Sequence, residues 1–289
     1  MSDSRETNST PRRIVGTKRF REAMPKPIST RIFTVANQKG GVGKTTTAVN
    51  IGAALAMGGL KVLLIDLDPQ GNASTAFNVA HDEAVPGTYE LLVEGATIAA
   101  VRQRAEGYPY LDVVPAGVDL AGAEIDLVEL ERREFKLRDA ITTMIERENE
   151  KYDYIIIDCP PSLGLLTLNA LIAANELLIP IQCEYYALEG LTQLIKIISL
   201  VTENTNPQLH IGAILLTMFD GRTRLAHDVA NTVRSHFPNQ VLTTVIPRAV
   251  RVSEAPSYGQ SVLTYDMSSP GALAYLSAAR ELHEKGRMK

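Results

Sequence analysis

The stretch Lys39-Gly40-Gly41-Val42-Gly43-Lys44-Thr45-Thr46 decides the reading of this chain, because of what stands on either side of it. A short apolar run over residues 32–36 precedes it and a helical segment over 46–57 follows. Strand, glycine-rich turn and helix together form a cradle for a nucleotide's phosphates. The glycines let the backbone curl so that several N–H groups point inward, and the helix N-terminus adds partial positive charge. Lys44 is placed to reach the β- and γ-phosphates, and the Thr45 hydroxyl to ligate Mg²⁺. The loop departs from the usual G-x-x-x-x-G-K-[ST] pattern at one point. Gln38 stands where its first glycine belongs, and a second lysine, Lys39, follows.

Outward from this loop, apolar runs alternate with helical patterns. The runs predict strands over 32–36, 62–66, 111–114, 154–158, 176–181, 212–217 and 242–246. They are almost continuously apolar, as strands buried on both faces of a parallel sheet must be. Leu188, Leu191, Leu194, Ile195 and Ile198 form an apolar stripe at helical spacing, and Ser269-Pro270 reads as the cap and first turn of a last helix ending near Gly286. The expectation is one doubly wound α/β domain over 30–289, a three-layer fold with helices on both faces of a mostly parallel sheet. Ligands of such sheets bind beyond the carboxyl ends of the strands, where the motifs fall. Residues 1–29 carry seven basic side chains against three acidic ones and show no apolar period. They read either as a solvated, disordered tail or as a basic arm for DNA or a partner.

Two further strand ends carry acids. Leu64-Ile65-Asp66-Leu67-Asp68-Pro69-Gln70-Gly71-Asn72 leaves its strand with two carboxylates on the phosphate rim, one of which can orient water or help to hold Mg²⁺. Tyr154-Ile155-Ile156-Ile157-Asp158 ends in the acid that a Walker B element supplies to the Mg²⁺ shell. A net charge of −4 does not suggest a nucleic-acid binder, although local patches decide that question rather than the sum. With only Cys159 and Cys183, and no C-x-x-C, neither a disulfide framework nor a zinc site is supported. No apolar stretch long enough to span a bilayer occurs, and the chain reads as cytoplasmic.

KGGVGKTT, IDLDPQGN, IIIDCPPSLG and IPRAVRVSEAPSYG, in that order over residues 31–285, together resemble the ParA-type ATPases, a deviant-Walker-A class of P-loop ATPases that partition bacterial chromosomes and plasmids. The resemblance implies ATP and Mg²⁺ as cofactors and a nucleotide-dependent sandwich homodimer. It also implies non-specific binding of double-stranded DNA at the nucleoid and a slow ATPase stimulated by a ParB-type partner. By it, Lys39 matches the signature lysine that touches the partner's nucleotide. Gly40, Gly41, Val42, Gly43, Lys44, Thr45 and Thr46 match the phosphate loop, with Thr45 on Mg²⁺ and Asp158 behind it. Asp68 matches the acid that positions the attacking water, and Pro247 and Arg248 match the loop near the adenine. Ala249 departs from the asparagine common there. The chemistry agrees: a γ-phosphate in a loose transition state needs positive charge from both sides, and a lysine at the outer lip of the loop suits the opposite subunit.

Arg222, Arg224, Arg248 and Arg251, with Arg234 one helix away, sit near neighbouring strand exits and are expected to share one rim. Either acids such as Asp228 and Glu254 pair with them, or they form half of a DNA-binding surface that dimerisation doubles. A division-site-selection ATPase of the MinD type is the alternative reading, but it needs an amphipathic C-terminal helix, and the last ten residues carry too few apolar side chains. An iron protein of the nitrogenase type would use both cysteines as cluster ligands, whereas their settings suit small buried residues. A tyrosine autokinase would want a tyrosine-rich tail, which is absent.

Overall fold

The structure is a computed structural model and describes residues 23–146, 151–184 and 187–287. Its strands are β1 (Arg31–Val35), β2 (Val62–Asp66), β3 (Gln103–Arg104), β4 (Leu111–Val114), β5 (Tyr154–Asp158), β6 (Glu176–Gln182), β7 (His210–Phe219) and β8 (Val241–Pro247). The helices are α1 (Lys44–Met57), α2 (Asn72–Ala76), α3 (Ile98–Val101), α4 (Ala123–Val128), α5 (Lys136–Glu146), α6 (Leu165–Ala173), α7 (Ala187–Asn204), α8 (Arg224–His236), α9 (Val250–Glu254), α10 (Val262–Tyr265) and α11 (Pro270–Arg287).

The strands form one eight-stranded sheet in the order β3-β4-β2-β5-β1-β6-β7-β8. All described pairings are parallel except β3 with β4. The doubly wound α/β expectation holds. The seven predicted strands are present, with β7 extended at both ends, and the two-residue β3 is additional. Apolar side chains pack on both faces. One layer gathers residues of α4, α5, α6, α7 and α8, among them Leu127, Ile141, Leu171, Leu194 and Val233. The other gathers residues of α1, α2, α10 and α11, among them Ile51, Leu55, Leu263, Tyr275 and Leu282.

Helix α1 explains why the phosphate loop is fixed. Ala48, Val49, Ile51, Ala53, Ala54, Leu55 and Ala56 bury it almost all round, as a helix with no polar face must be. Truncating Leu55 or Ile51 to Ala would cost about 2–5 kcal/mol and loosen the anchor of the loop. The predicted apolar stripe of α7 is seen where described: Leu191, Leu194 and Ile198 are buried, while the side chain of Leu188 lies outside the described residues.

The sequence reading ends its tail at residue 29, yet the segment packs earlier. Met24 is buried, and its amide donates to Gly58 O at 2.8 Å, just past the C-terminus of α1. Gly58 admits it, since a Cβ there would lie 2.9 Å from the Met24 Cγ. The rest of the predicted tail, residues 1–22, lies outside the described residues.

Candidate nucleotide site

β1 lies at the middle of the sheet, between β5 and β6, and the loop after it opens over the carboxyl ends of these strands. Gly41 and Gly43 adopt left-handed φ values of 74° and 87°, which side chains with a Cβ disfavour, and this turns the loop back on itself before Lys44 starts α1. A Cβ at Gly40 or Gly41 would meet nothing within 4 Å, so it is the φ of Gly41 rather than crowding that favours glycine there. The loop is held from β7: the Thr217 hydroxyl donates to Val42 O at 2.8 Å. Its leading edge is held from β6: Asn37 Nδ2 donates to Pro180 O at 2.8 Å, and Asn37 Oδ1 accepts from the Lys39 amide at 3.1 Å.

The two lysines of the loop have different environments. Lys44 is buried; its Nζ donates to Lys39 O at 3.3 Å, within the curl of its own loop. Burial lowers its pKa, against the opposing pull of Asp158 and Asp68. Lys39 is half-exposed, and its Nζ lies 3.3 Å from Glu184 Oε2 beyond the end of β6. Its ammonium is met within its own protomer by a carboxylate that the motifs do not contain.

Three acids stand at the ends of β2 and β5. Asp66 and Asp158 are direct register partners. Asp66 is fully buried and used structurally: its Oδ2 accepts from Ser74 N and Oγ at 2.9 and 2.7 Å, and its Oδ1 from Asp68 N at 3.2 Å. Burial nevertheless pushes its pKa up to about 6. Asp68 is buried as well, with Oδ1 accepting from Gln70 N at 3.0 Å. Asp158 differs from both. It is fully buried, and neither oxygen has a hydrogen-bond partner of good geometry, although the nearby Thr45 hydroxyl favours its charged form. Burial and then the neighbouring Asp66 drive its pKa well above the usual carboxylate range. A buried carboxylate with free lone pairs beside Thr45 suits a Mg²⁺ ion, which binds through one or two protein oxygens, water and phosphate. No cluster of three His, Cys, Asp or Glu side chains able to hold a metal by itself occurs among the described residues.

Around the rim, a cavity of about 200 Å³ borders the start of α1, lined by Thr45, Thr46, Val49, Asn50, Asn72, Ala76, Pro256, Gln260 and Val262. A larger groove of about 400 Å³, between residues 91–97 and α5, is lined by none of the motif residues. Pro247 closes β8 opposite Phe219, and Arg248 N donates to Phe219 O at 3.2 Å. The Arg248 guanidinium reaches Glu184 at 3.6 Å, so neither residue lines that cavity. Met218, in the irregular part of the β7–β8 pairing, holds a left-handed φ of 49°, a strained geometry for a side chain that places Thr217 and Phe219 on this rim.

Of the arginines expected to share a rim, Arg222, Arg224 and Arg251 each pair with an acid close in sequence. Arg222 is chelated by Asp220, with contacts of 2.9 and 2.8 Å that lower the Asp220 pKa to about 2. Arg224 lies 3.8 Å from Asp228. Arg251 lies 3.0 Å from Glu254 and 3.7 Å from Asp266, over the Tyr265 ring. Arg234 Nη2 donates to Thr243 O at 3.4 Å. Cys159 and Cys183 are both buried, and burial raises both thiols.

Loop, Walker-type acid and parallel sheet define a P-loop nucleotide-binding protein. The family described as an AAA domain matches residues 30–211. The chromosome partitioning protein ParA of Myxococcus xanthus is 51% identical over 259 residues, which cover 90% of each chain. The sporulation initiation inhibitor protein Soj of Bacillus subtilis is 49% identical over 256 residues, 89% of this chain and 99% of that one. A solved structure described as a cobyrinic acid a,c-diamide synthase from Mycobacterium smegmatis, with ADP and magnesium bound, superposes with a TM-score of 0.73 at 38% identity, covering 87% of this chain and 93% of the other. The chain belongs to the ParA-type family of P-loop ATPases.

Proposed function

We propose that this chain is a chromosome-partitioning ATPase whose ATP-loaded form pairs with a second copy, binds DNA without reading sequence, and is released when a ParB-type partner stimulates hydrolysis. The observation that carries the reading is the division of labour between the two lysines. Lys44 Nζ curls into its own loop, whereas Lys39 Nζ points out of it. On this reading one loop offers one cation to its own phosphates and a second, held meanwhile by Glu184, to a neighbour's.

ATP·Mg²⁺ is the ligand that this site fits. The backbone N–H groups of residues 40–45 and the Lys44 ammonium bind the phosphates, with Thr45 and Asp158 on the metal side. When bound, Mg²⁺ neutralises charge on the β- and γ-phosphate oxygens. Asp68 orients the attacking water: its backbone is braced by Asp66 and its own carboxylate is steadied by Gln70 N. The motifs place no His or Glu as a strong base beside it, so unstimulated turnover is slow. Pro247 and Arg248 serve the base side of the nucleotide.

Arg222, Arg224 and Arg251 form half of a DNA-phosphate surface. The three arginines are themselves exposed and their partner carboxylates at least partly so, and pairs of this kind are worth only about 0–1 kcal/mol, which phosphate can displace. The MinD-type alternative finds little support, because Ala272, Tyr275, Leu276, Ala279 and Leu282 bury the apolar face of α11 in the core and leave none for a membrane. No helix among the described residues is long and apolar enough to cross one.

The test is ATP hydrolysis, followed as phosphate release, with and without DNA and a ParB-type partner. Stimulation by the two together is expected, with Lys39→Ala abolishing both dimerisation and stimulation. Wild-type turnover in Lys39→Ala, or indifference to DNA and partner, would refute the reading. Arg224→Glu with Arg251→Glu should abolish salt-sensitive DNA retention while sparing ATP binding, and full retention by that double variant would remove the DNA surface from the proposal.

A further inference from the structure

Glu184 lies between two residues assigned to nucleotide binding and is itself in neither phosphate motif. Its Oε2 is 3.3 Å from Lys39 Nζ, and its Oε1 is 3.6 Å from the Arg248 guanidinium. The carboxylate is steadied from its own strand, since Gln182 Nε2 donates to Oε1. The backbone is set as well: Glu184 N donates to Gln182 O at 2.8 Å, and Cys183 N to Thr217 O at 3.3 Å. The Lys39 backbone is fastened to the same strand through Asn37 and Pro180. Both ends of Lys39 are therefore held at the exit of β6.

We propose that Glu184 is a positioning residue that holds Lys39 within its own protomer until a second protomer presents a nucleotide. This rests on the reading of Lys39 as the lysine that serves a partner. A carboxylate facing two cations offers the negative oxygens that a phosphate offers, so Glu184 acts as an internal stand-in for the partner's phosphate. Lys39 must leave it to cross an interface, and dimer formation is opposed by the strength of that pair. The pair is half-exposed, with side-chain exposures of 34% and 45%, which keeps the opposition small enough for a nucleotide to overcome. The arrangement disfavours pairing of protomers that carry no γ-phosphate, which alone provides Lys39 with a better partner.

The experiment is an AMPPNP titration of the full chain with Mg²⁺, reading dimer by sedimentation velocity at 50 mM and 500 mM salt. Removing an exposed pair of this strength, Glu184→Gln is expected to lower the AMPPNP needed for half-maximal dimer by about twofold to fivefold at 50 mM salt. The difference should vanish at 500 mM salt, where the Debye length falls to a few ångströms and the wild-type pair is already screened. Glu184→Asp, which keeps the charge with shorter reach, should lie between the two. Lys39→Ala combined with Glu184→Gln should show no gain over Lys39→Ala alone. An unchanged or increased AMPPNP requirement in Glu184→Gln, while Lys39→Ala fails to dimerise, overturns the holding role and leaves the partner-serving lysine standing. Wild-type dimerisation by Lys39→Ala overturns the reading beneath it.

Discussion

The two rims of the sheet treat charge in opposite ways. At the amino ends of the strands, Arg31 is buried and fully engaged: its guanidinium donates to both oxygens of Glu176 at 2.7 and 2.8 Å, to Tyr154 Oη at 3.1 Å and to Leu282 O at 3.0 Å. Burial works to lower its pKa, yet the bonds to Glu176 and Tyr154 leave it raised. At the carboxyl ends, Asp158 is buried as deeply with its oxygens unsatisfied, and Lys44 is buried on a single long bond to its own loop. The difference separates a rim that holds the fold together from one that keeps free valences for a ligand. A buried ion pair is costly to break, and a buried lone carboxylate is costly to keep unless something arrives to satisfy it.

The comparison can be broken first at the paired rim. Arg31→Ala should cost about 3–5 kcal/mol, because it strands Glu176 in the core. Chemical denaturation should show that loss while ATP hydrolysis per folded molecule stays near wild type; a comparable loss of activity in the folded fraction would contradict the separation of roles. Lys44→Ala should do the reverse, lowering hydrolysis by about 10²–10³-fold, the usual effect of removing one group that stabilises transition-state charge. Its melting temperature without nucleotide should stay close to wild type or rise.

A pH series sharpens the contrast. Asp66 keeps its proton to about pH 6 in the folded chain, against a reference pKa of 3.8. Between those values the native state binds more protons than the unfolded one, so this residue makes stability fall as pH rises from about 4 to 6, and the loss persists above. The shift corresponds to about 3 kcal/mol at full ionisation. Subtracting the denaturation curves of Asp66→Asn from those of wild type should reveal a slope of that sign, and a difference that rises with pH would reject it. Asp158→Asn should stabilise the nucleotide-free protein by about 1–2 kcal/mol at neutral pH, since it removes an acid whose ionisation burial and Asp66 oppose, and should weaken stabilisation by ATP·Mg²⁺. Thermal shift with and without Mg²⁺ would measure both. Smallest of all, Arg222→Ala, exposed and chelated by a neighbour in its own turn, should change stability by no more than about 0.5 kcal/mol.

How far the sequence discloses these features depends on how local they are. Buried parallel strands advertise themselves as apolar runs, and those ending in Asp66 and Asp158 match the structure residue for residue. β3 carries no such run: it is Gln103 and Arg104, given strand geometry only by β4 beside it. The phosphate loop, Asp68 and Asp158 are legible because their chemistry is written in contiguous motifs. Glu184 and Thr217 are not, since each acquires its role from a residue far along the chain, Lys39 at 145 positions and Val42 at 175. Only the strand order β1-β6-β7 brings them together. For the arginines, the pairings of Arg224 with Asp228 and of Arg251 with Glu254 follow from helical spacing, whereas that of Arg222 with Asp220, two residues back in the same turn, does not.

The anchoring of Met24 has a practical bearing on how this chain can be handled. It joins the folded body beside Gly58, at the far end of the 14-residue helix that begins at Lys44. At 1.5 Å per residue this is about 21 Å from the phosphate loop. The Met24 anchor therefore lies at the end of α1 away from Lys39 and the phosphate loop. A label at the exposed end of α1 beside Gly59 would stand far from the loop, whereas one on α9 would sit next to Arg251.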